Sequence, residues 1–455
     1  MNEATRSERI QYLDVLRVLS MLAVVFLHTV AGTLRAFFGS SQWHFANGVS
    51  SLATAGVPLF FLLSGALLLS GERSASVGYT LKKRLPRVLV PFLIWSLLAV
   101  AYYVVMTWLV KGAPDWTTAV GKLKHLPAQP TAVHLWFMYA LIPLYFLSPF
   151  IKKLLDSLDR SLIIYLFSLW AFFSVVLPTA AGFLPASLTS IVTLDPRYDL
   201  SLMAGYAGYF VAGYYLMRLE RRVSPWLLGG VVVADVFVIA LGTWLKTGAQ
   251  GSYSEVFKSY TRLFVVILSC ALFLLCKELF RARRLGRAAA AAVGFLTPLA
   301  FGIYLVHNLL VDLLSRLVPW WPATSIGIVV ASYLAVLAAS VVLIFVVSRI
   351  KPLCYVLTGQ VYAGWGKRGR ALRGATLAPG TVEAPASRRP AFDAPPARYT
   401  VATDILVPDS STTELPRVWR PETPVVRPPA EGAEPVVTEP ALDQPVDPTV
   451  ERMRP

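Results

Sequence analysis

Arg17 and His28 stand eleven residues apart in the stretch from Arg9 to Val30, RIQYLDVLRVLSMLAVVFLHTV. Arginine is a permanent cation that can grip an anion, and histidine can take or give a proton near neutral pH. Asp14 lies one turn before Arg17. The surrounding residues are apolar and about sufficient to cross a bilayer as one helix. Ionisable groups are expensive in hydrocarbon, so they face a protein interior or a water-filled cavity. At about 100° per residue, eleven steps return to within about 20° of the starting face and rise about 16 Å. One helix therefore carries a polar stripe, with an anion-binding end at Arg17 and a proton-transfer end at His28. A buried polar group that fixes helix packing is the plainer alternative.

Further candidates are spread along the chain. In LKKRLPRVLVPF, Arg84 and Arg87 are three apart and share a helical face, and Pro86 bends or starts that helix. Guanidinium pairs match phosphate geometry, which suits a phosphorylated donor; a topology-setting basic cluster is the alternative. His134 and Trp136 fall at an outer interface, where aromatic anchoring outweighs substrate contact. Asp235 is a lone carboxylate in mid-span, either paired with a base or a second functional group. His307, in FGIYLVHNLLVD, falls at about the depth of His28. Gly56, Ser64 and Gly65 are small residues that permit close helix approach, and nothing around Ser64 resembles a hydrolase elbow.

The elements that must position these residues are transmembrane helices. Of the 455 residues, 56% are hydrophobic and 15% are charged, against about 25% charged in a soluble domain. Ten spans are predicted, near 13–34, 48–70, 88–110, 134–155, 161–182, 200–218, 225–246, 259–281, 293–314 and 324–348. The fold class is all-α, a polytopic membrane protein of about ten helices with a disordered C-terminal tail. Residues 1–357 form the membrane domain. Residues 358–455 form the tail, in which Gly374 to Pro455 holds 16 of the 32 prolines. That segment has 8 basic and 12 acidic residues, so the net charge of +16 belongs to the membrane part. Alternate loops carry 20 and 9 basic residues, which predicts both termini on the cytoplasmic side of a cell membrane. The basic residues lie in short clusters between apolar runs, so nucleic acid is not an expected partner. Cys270, Cys276 and Cys354 show no metal-ligand or disulfide pattern, and no metal is expected.

The stretches LDVLRVLSMLAVVFLH, VPLFFLLSG, KKRLPRVLVPF, LWFMYALIPLYFLSP and FGIYLVH occur in that order between about residues 10 and 350. Their ordered set resembles the acyltransferase-3 family of integral membrane acyltransferases, nearest to the surface-polysaccharide O-acyltransferases. The resemblance implies acyl transfer from cytosolic acyl-CoA to a sugar hydroxyl of a cell-envelope glycan or lipid-linked sugar, with acetyl-CoA the default donor and no permanently bound cofactor. Arg17 and His28 match its first-helix pair, Arg84 and Arg87 its R-x-x-R pair, and His307 a late histidine. Residues and resemblance together predict that Arg17, Arg84 and Arg87 hold the CoA phosphates while His28 acts as general base or carries a transient acyl group. Asp14, Trp136, Asp235 and His307 are candidates for supporting or acceptor contacts. A transporter of polysaccharide or lipid-linked glycan is the competing class, since intramembrane Arg, His and Asp also serve transport. The Pro-rich tail could take protein partners.

Overall fold

The computed structural model of this protein describes residues 3–185, 188–189, 205–318 and 324–361. The tail from Gly374, and with it the expectation of disorder there, lies outside the described residues. Among the described residues the chain is helical with no strand, and nine helices are long and apolar enough to cross a membrane. They leave large apolar side chains such as Trp108, Leu109, Trp226, Val233 and Phe237 exposed, as expected where lipid replaces water as the surrounding solvent.

The helices used below are α1 (Glu3–Ala36), α2 (Ser41–Ala53), α3 (Gly56–Leu68), α4 (Pro86–Lys111), α5 (Trp116–Lys124) and α6 (Trp136–Ser157). Then follow α7 (Arg160–Trp170, prolonged through a π-turn to Phe183), α8 (Tyr206–Arg218), α9 (Pro225–Gln250) and α10 (Leu263–Ala282). The last are α11 (Arg287–Leu296), α12 (Ala300–Leu317), α13 (Ile326–Val347) and α14 (Lys351–Thr358). Local chemistry sets several boundaries. Pro86 and Pro225 occupy the first helical turn, where a missing N–H costs nothing. Gly112 and Gly251 close α4 and α9 in the left-handed region. The expected span at 293–314 is two helices, α11 and α12, parted by a turn at Thr297–Leu299.

Helix α1 is the hub. It packs against α2, α3, α10, α12 and α13, and Leu16, Met21 and Val25 on it are at most 1% exposed. Gly56 lets α3 approach, since a Cβ there would meet the Ala23 Cβ at 2.9 Å. Helices α3 and α8 cross more closely still. A Cβ on Gly65 would lie 1.6 Å from the Phe210 carbonyl oxygen, and one on Gly213 would lie 1.9 Å from the Leu62 carbonyl oxygen. Only glycine admits that approach. The segment between α9 and α10 is fastened by Lys258, whose ammonium donates to Asn47 Oδ1 at 2.7 Å and Ser50 Oγ at 2.6 Å.

The span expected at 200–218 is not among the nine: its described part is α8, whose 13 residues rise about 20 Å, short of the roughly 30 Å hydrocarbon core. Residues 200–204 lie outside the described residues. Reporters fused after Gly121 and after Gly374 are expected on opposite sides of the membrane if this segment completes a crossing. Both on one side would mean that it does not.

Candidate functional site

Helix α1 lays out the first part of the site. Arg17 is half-buried, and its Nη1 lies 3.7 Å from Asp14 Oδ1, within ion-pair range but outside hydrogen-bond distance. Arg17, Arg84 and Arg87 line one cavity of about 320 Å³. The sequence placed Arg84 and Arg87 on one helical face, but the chain reaches that result differently. Thr80–Arg84 is a π-turn, in which the Leu85 N–H donates to the Thr80 carbonyl at 2.9 Å, and α4 begins only at Pro86. Such widened turns re-aim side chains and recur at functional sites.

Arg84 also holds the fold. Its Nη1 donates to the Leu68 carbonyl at 2.8 Å and its Nη2 to Ser74 Oγ at 3.2 Å, with the Tyr79 ring 5.2 Å from its guanidinium. Burial pulls Arg84 below its ordinary pKa, while Tyr79 and Tyr145 act in the opposite direction. The backbone of Arg87 is covered by Gly359, which at φ +67° sits where a Cβ would strike the Arg87 carbonyl oxygen. The packed part of the chain therefore runs on through Thr358 and Gly359, both of which line the cavity. Ser64 faces the same cavity, whereas its neighbour Gly65 makes the close helix crossing.

The cavity runs along α3 from Leu68 to Phe60, eight residues or about 12 Å. Its far end is a layer of four rings, Phe60, Phe137, Phe301 and Tyr304. Phe60 is 5.9 Å from Phe137 and 6.5 Å from Tyr304, Phe137 is 5.5 Å from Tyr304, and Phe301 stacks on Tyr304 at 6.4 Å.

Behind this layer three histidines meet. The ring centroid of His28 lies 5.0 Å from that of His307 and 6.4 Å from that of His134, and His134 is 5.2 Å from His307. Backbone carbonyls fix two of the rings. His134 Nε2 meets the Leu305 carbonyl at 3.0 Å, and His307 Nδ1 meets the Tyr304 carbonyl at 2.6 Å. A carbonyl only accepts, so each of these nitrogens carries the proton and the other nitrogen of the neutral ring keeps a lone pair. Those nitrogens, His134 Nδ1 and His307 Nε2, are buried without a partner. His28 is partly exposed and has no hydrogen-bond partner among the described residues.

The site thus joins Arg17, Arg84 and Arg87 in one cavity and His28 and His307 in one cluster. It adds His134, which sequence reasoning took for an interfacial anchor. A signal was available: the charge pattern puts residue 134 at the same membrane end as His28 and His307. Trp136 follows two residues later and stacks on Tyr260 at 5.6 Å, with Tyr206 at 5.4 Å. Asp14 stays beside Arg17, far from the histidines. Asp235 is buried on α9, outside the cavity, with Oδ2 unpartnered and no ion pair among the described residues. Among the described residues no group of His, Cys, Asp or Glu is arranged to hold a metal.

The model of the acyltransferase-3 family, described as an acyltransferase domain, matches residues 10–349. The chain belongs to this family. It is a multi-pass membrane acyltransferase, and the match spans both the arginines and the histidines. No curated protein and no solved structure matches the chain.

Proposed function

We propose that this acyltransferase moves an acyl group, acetyl by default, from cytosolic acyl-CoA to a hydroxyl of a cell-envelope glycan or lipid-linked sugar. The observation that supports this reading best is the single cavity that begins at three arginines and ends against rings backed by three histidines. Arg17, Arg84 and Arg87 receive the CoA phosphates from the basic, cytoplasmic side. The pantetheine arm follows α3 toward the ring layer. The acceptor hydroxyl comes to His28, which takes its proton as the oxygen attacks the thioester carbon. The new C–O bond forms, the C–S bond breaks, and CoA leaves as the thiol once its sulfur regains a proton.

The sequence offered no carboxylate to orient His28. The His307 Nε2 lone pair can do this instead. The two rings lie 5.0 Å apart, and a His28 N–H turned onto that lone pair would leave the other His28 nitrogen free as the base.

Purified protein supplied with acyl-CoA and candidate glycans tests the reading. Thioester-dependent acylation of a sugar is expected; solute flux without acylation would make the chain a transporter. The donor site has its own test. Arg84→Ala with Arg87→Ala should raise the apparent Kd for acyl-CoA by about a hundredfold or more, since each of the two charge-assisted contacts is worth about 1.5–3 kcal/mol. Because Arg84 also ties down the end of α3, Arg84→Lys separates charge from geometry and should restore only part of the affinity. Unchanged affinity in the double variant would reduce the pair to a topology signal.

A further inference from the structure

We propose that the ring layer of Phe60, Phe137, Phe301 and Tyr304 selects the acyl group by length, admitting acetyl or propionyl and excluding medium chains. The inference rests on the acyl-CoA reading of the cavity and goes beyond it by assigning donor specificity to named side chains. With the phosphates at the arginines, the acyl end of the donor points at the rings, because the cavity lining leads from one to the other along α3.

The four rings differ in how far they can yield. Tyr304 is held at both ends. Its hydroxyl donates to the His134 carbonyl at 2.6 Å, its own carbonyl accepts from His307 Nδ1 at 2.6 Å, and it is 4% exposed. Phe137 is 5% exposed and also touches Phe61, with ring centroids 4.8 Å apart. Moving either would disturb the histidine cluster or the α3 core. Phe60 and Phe301 are half-buried and make no hydrogen bond through their rings. They are the parts of the layer that can turn aside.

A small acyl group needs only that rotation to reach the histidines. A longer chain has to be housed among rings that are fixed from behind. One methylene in a shaped apolar pocket changes discrimination by about 10- to 200-fold. The direction is diagnostic, because burial of extra methylenes in an open apolar cleft would favour the longer chain.

Binding shows this without knowledge of the acceptor. CoA, acetyl-CoA, butyryl-CoA and hexanoyl-CoA are titrated calorimetrically into the purified full-length chain in lipid nanodiscs. Wild type should bind acetyl-CoA at least about tenfold more tightly than hexanoyl-CoA. Phe60→Ala and, separately, Phe301→Ala should shrink or reverse that ratio, with Phe60→Leu between. Two single variants guard against one failing to fold. Equal affinities in wild type, or a ratio unmoved in variants that still bind CoA, would overturn the selector while leaving the donor cavity intact. Failure of wild type to bind CoA at all would overturn the donor reading, and the selector with it.

Discussion

Replacing His28 by glutamine is expected to lower acyl transfer by about 10²–10⁴-fold, the usual contribution of a positioned base, while acyl-CoA binding persists. Glutamine keeps polarity and approximate volume but cannot take the proton. Arg17 cannot substitute, because a guanidinium stays protonated. Asp14 cannot either, since fourteen helical residues put it about 21 Å from His28. His307→Gln should cost less and should appear in kcat rather than in the KM for acyl-CoA, if its role is the proposed one of orienting His28. Steady-state assays on both variants, with donor binding measured separately, check the assignment. A His28→Gln enzyme turning over at the wild-type rate would make His28 a packing residue. Loss confined to His307→Gln would exchange the two roles.

The second large effect concerns the helix crossing. Gly65→Ala and Gly213→Ala each place a methyl group inside a backbone carbonyl's van der Waals radius, at 1.6 Å and 1.9 Å. Side-chain rotation cannot relieve a clash with backbone, so α3 and α8 must separate. Overpacking in a core typically costs about 1–3 kcal/mol, and a backbone clash this deep should exceed that range. With total stabilities of about 5–15 kcal/mol, either variant should lose most of its folded, monodisperse protein in size-exclusion chromatography. Gly121→Ala, where no atom lies within 4 Å, is the matched control and should behave as wild type. Normal folding of Gly65→Ala would mean that the two helices do not approach so closely.

The parts of the site that share one helix were legible in the sequence. The Arg17–His28 stripe follows from the helical repeat, and the R-x-x-R pair from its spacing, even though a π-turn delivers the first arginine. The matching depth of His307 followed from the alternation of loop charges. What was not legible depends on three or more helices meeting. His134 sits on a short turn before α6, with no periodicity to assign it a face, and Tyr304 joins the site through a hydrogen bond to residue 134, 170 positions away. The crossing of α3 with α8 was half visible. Gly65 was read as a small packing residue, but nothing in the sequence named Gly213 as its partner.

The ring layer has a consequence for the energetics of the cell. If the donor is drawn from one side of the membrane and the acceptor met toward the other, as proposed above, the site brings two aqueous phases close together. Arginines and titratable imidazoles on the two sides of a thin partition would otherwise make a path for protons. Each elementary charge that crosses dissipates about 2.3 kcal/mol per 100 mV of membrane potential. Phe60, Phe137, Phe301 and Tyr304 are closely spaced and carry one hydroxyl between them, which is already engaged with the His134 carbonyl. Among the described residues, that hydroxyl is the one side-chain hydrogen-bonding group that the four rings supply. On the proposed reading, an uncharged acyl group would pass this apolar layer while charged groups are held back.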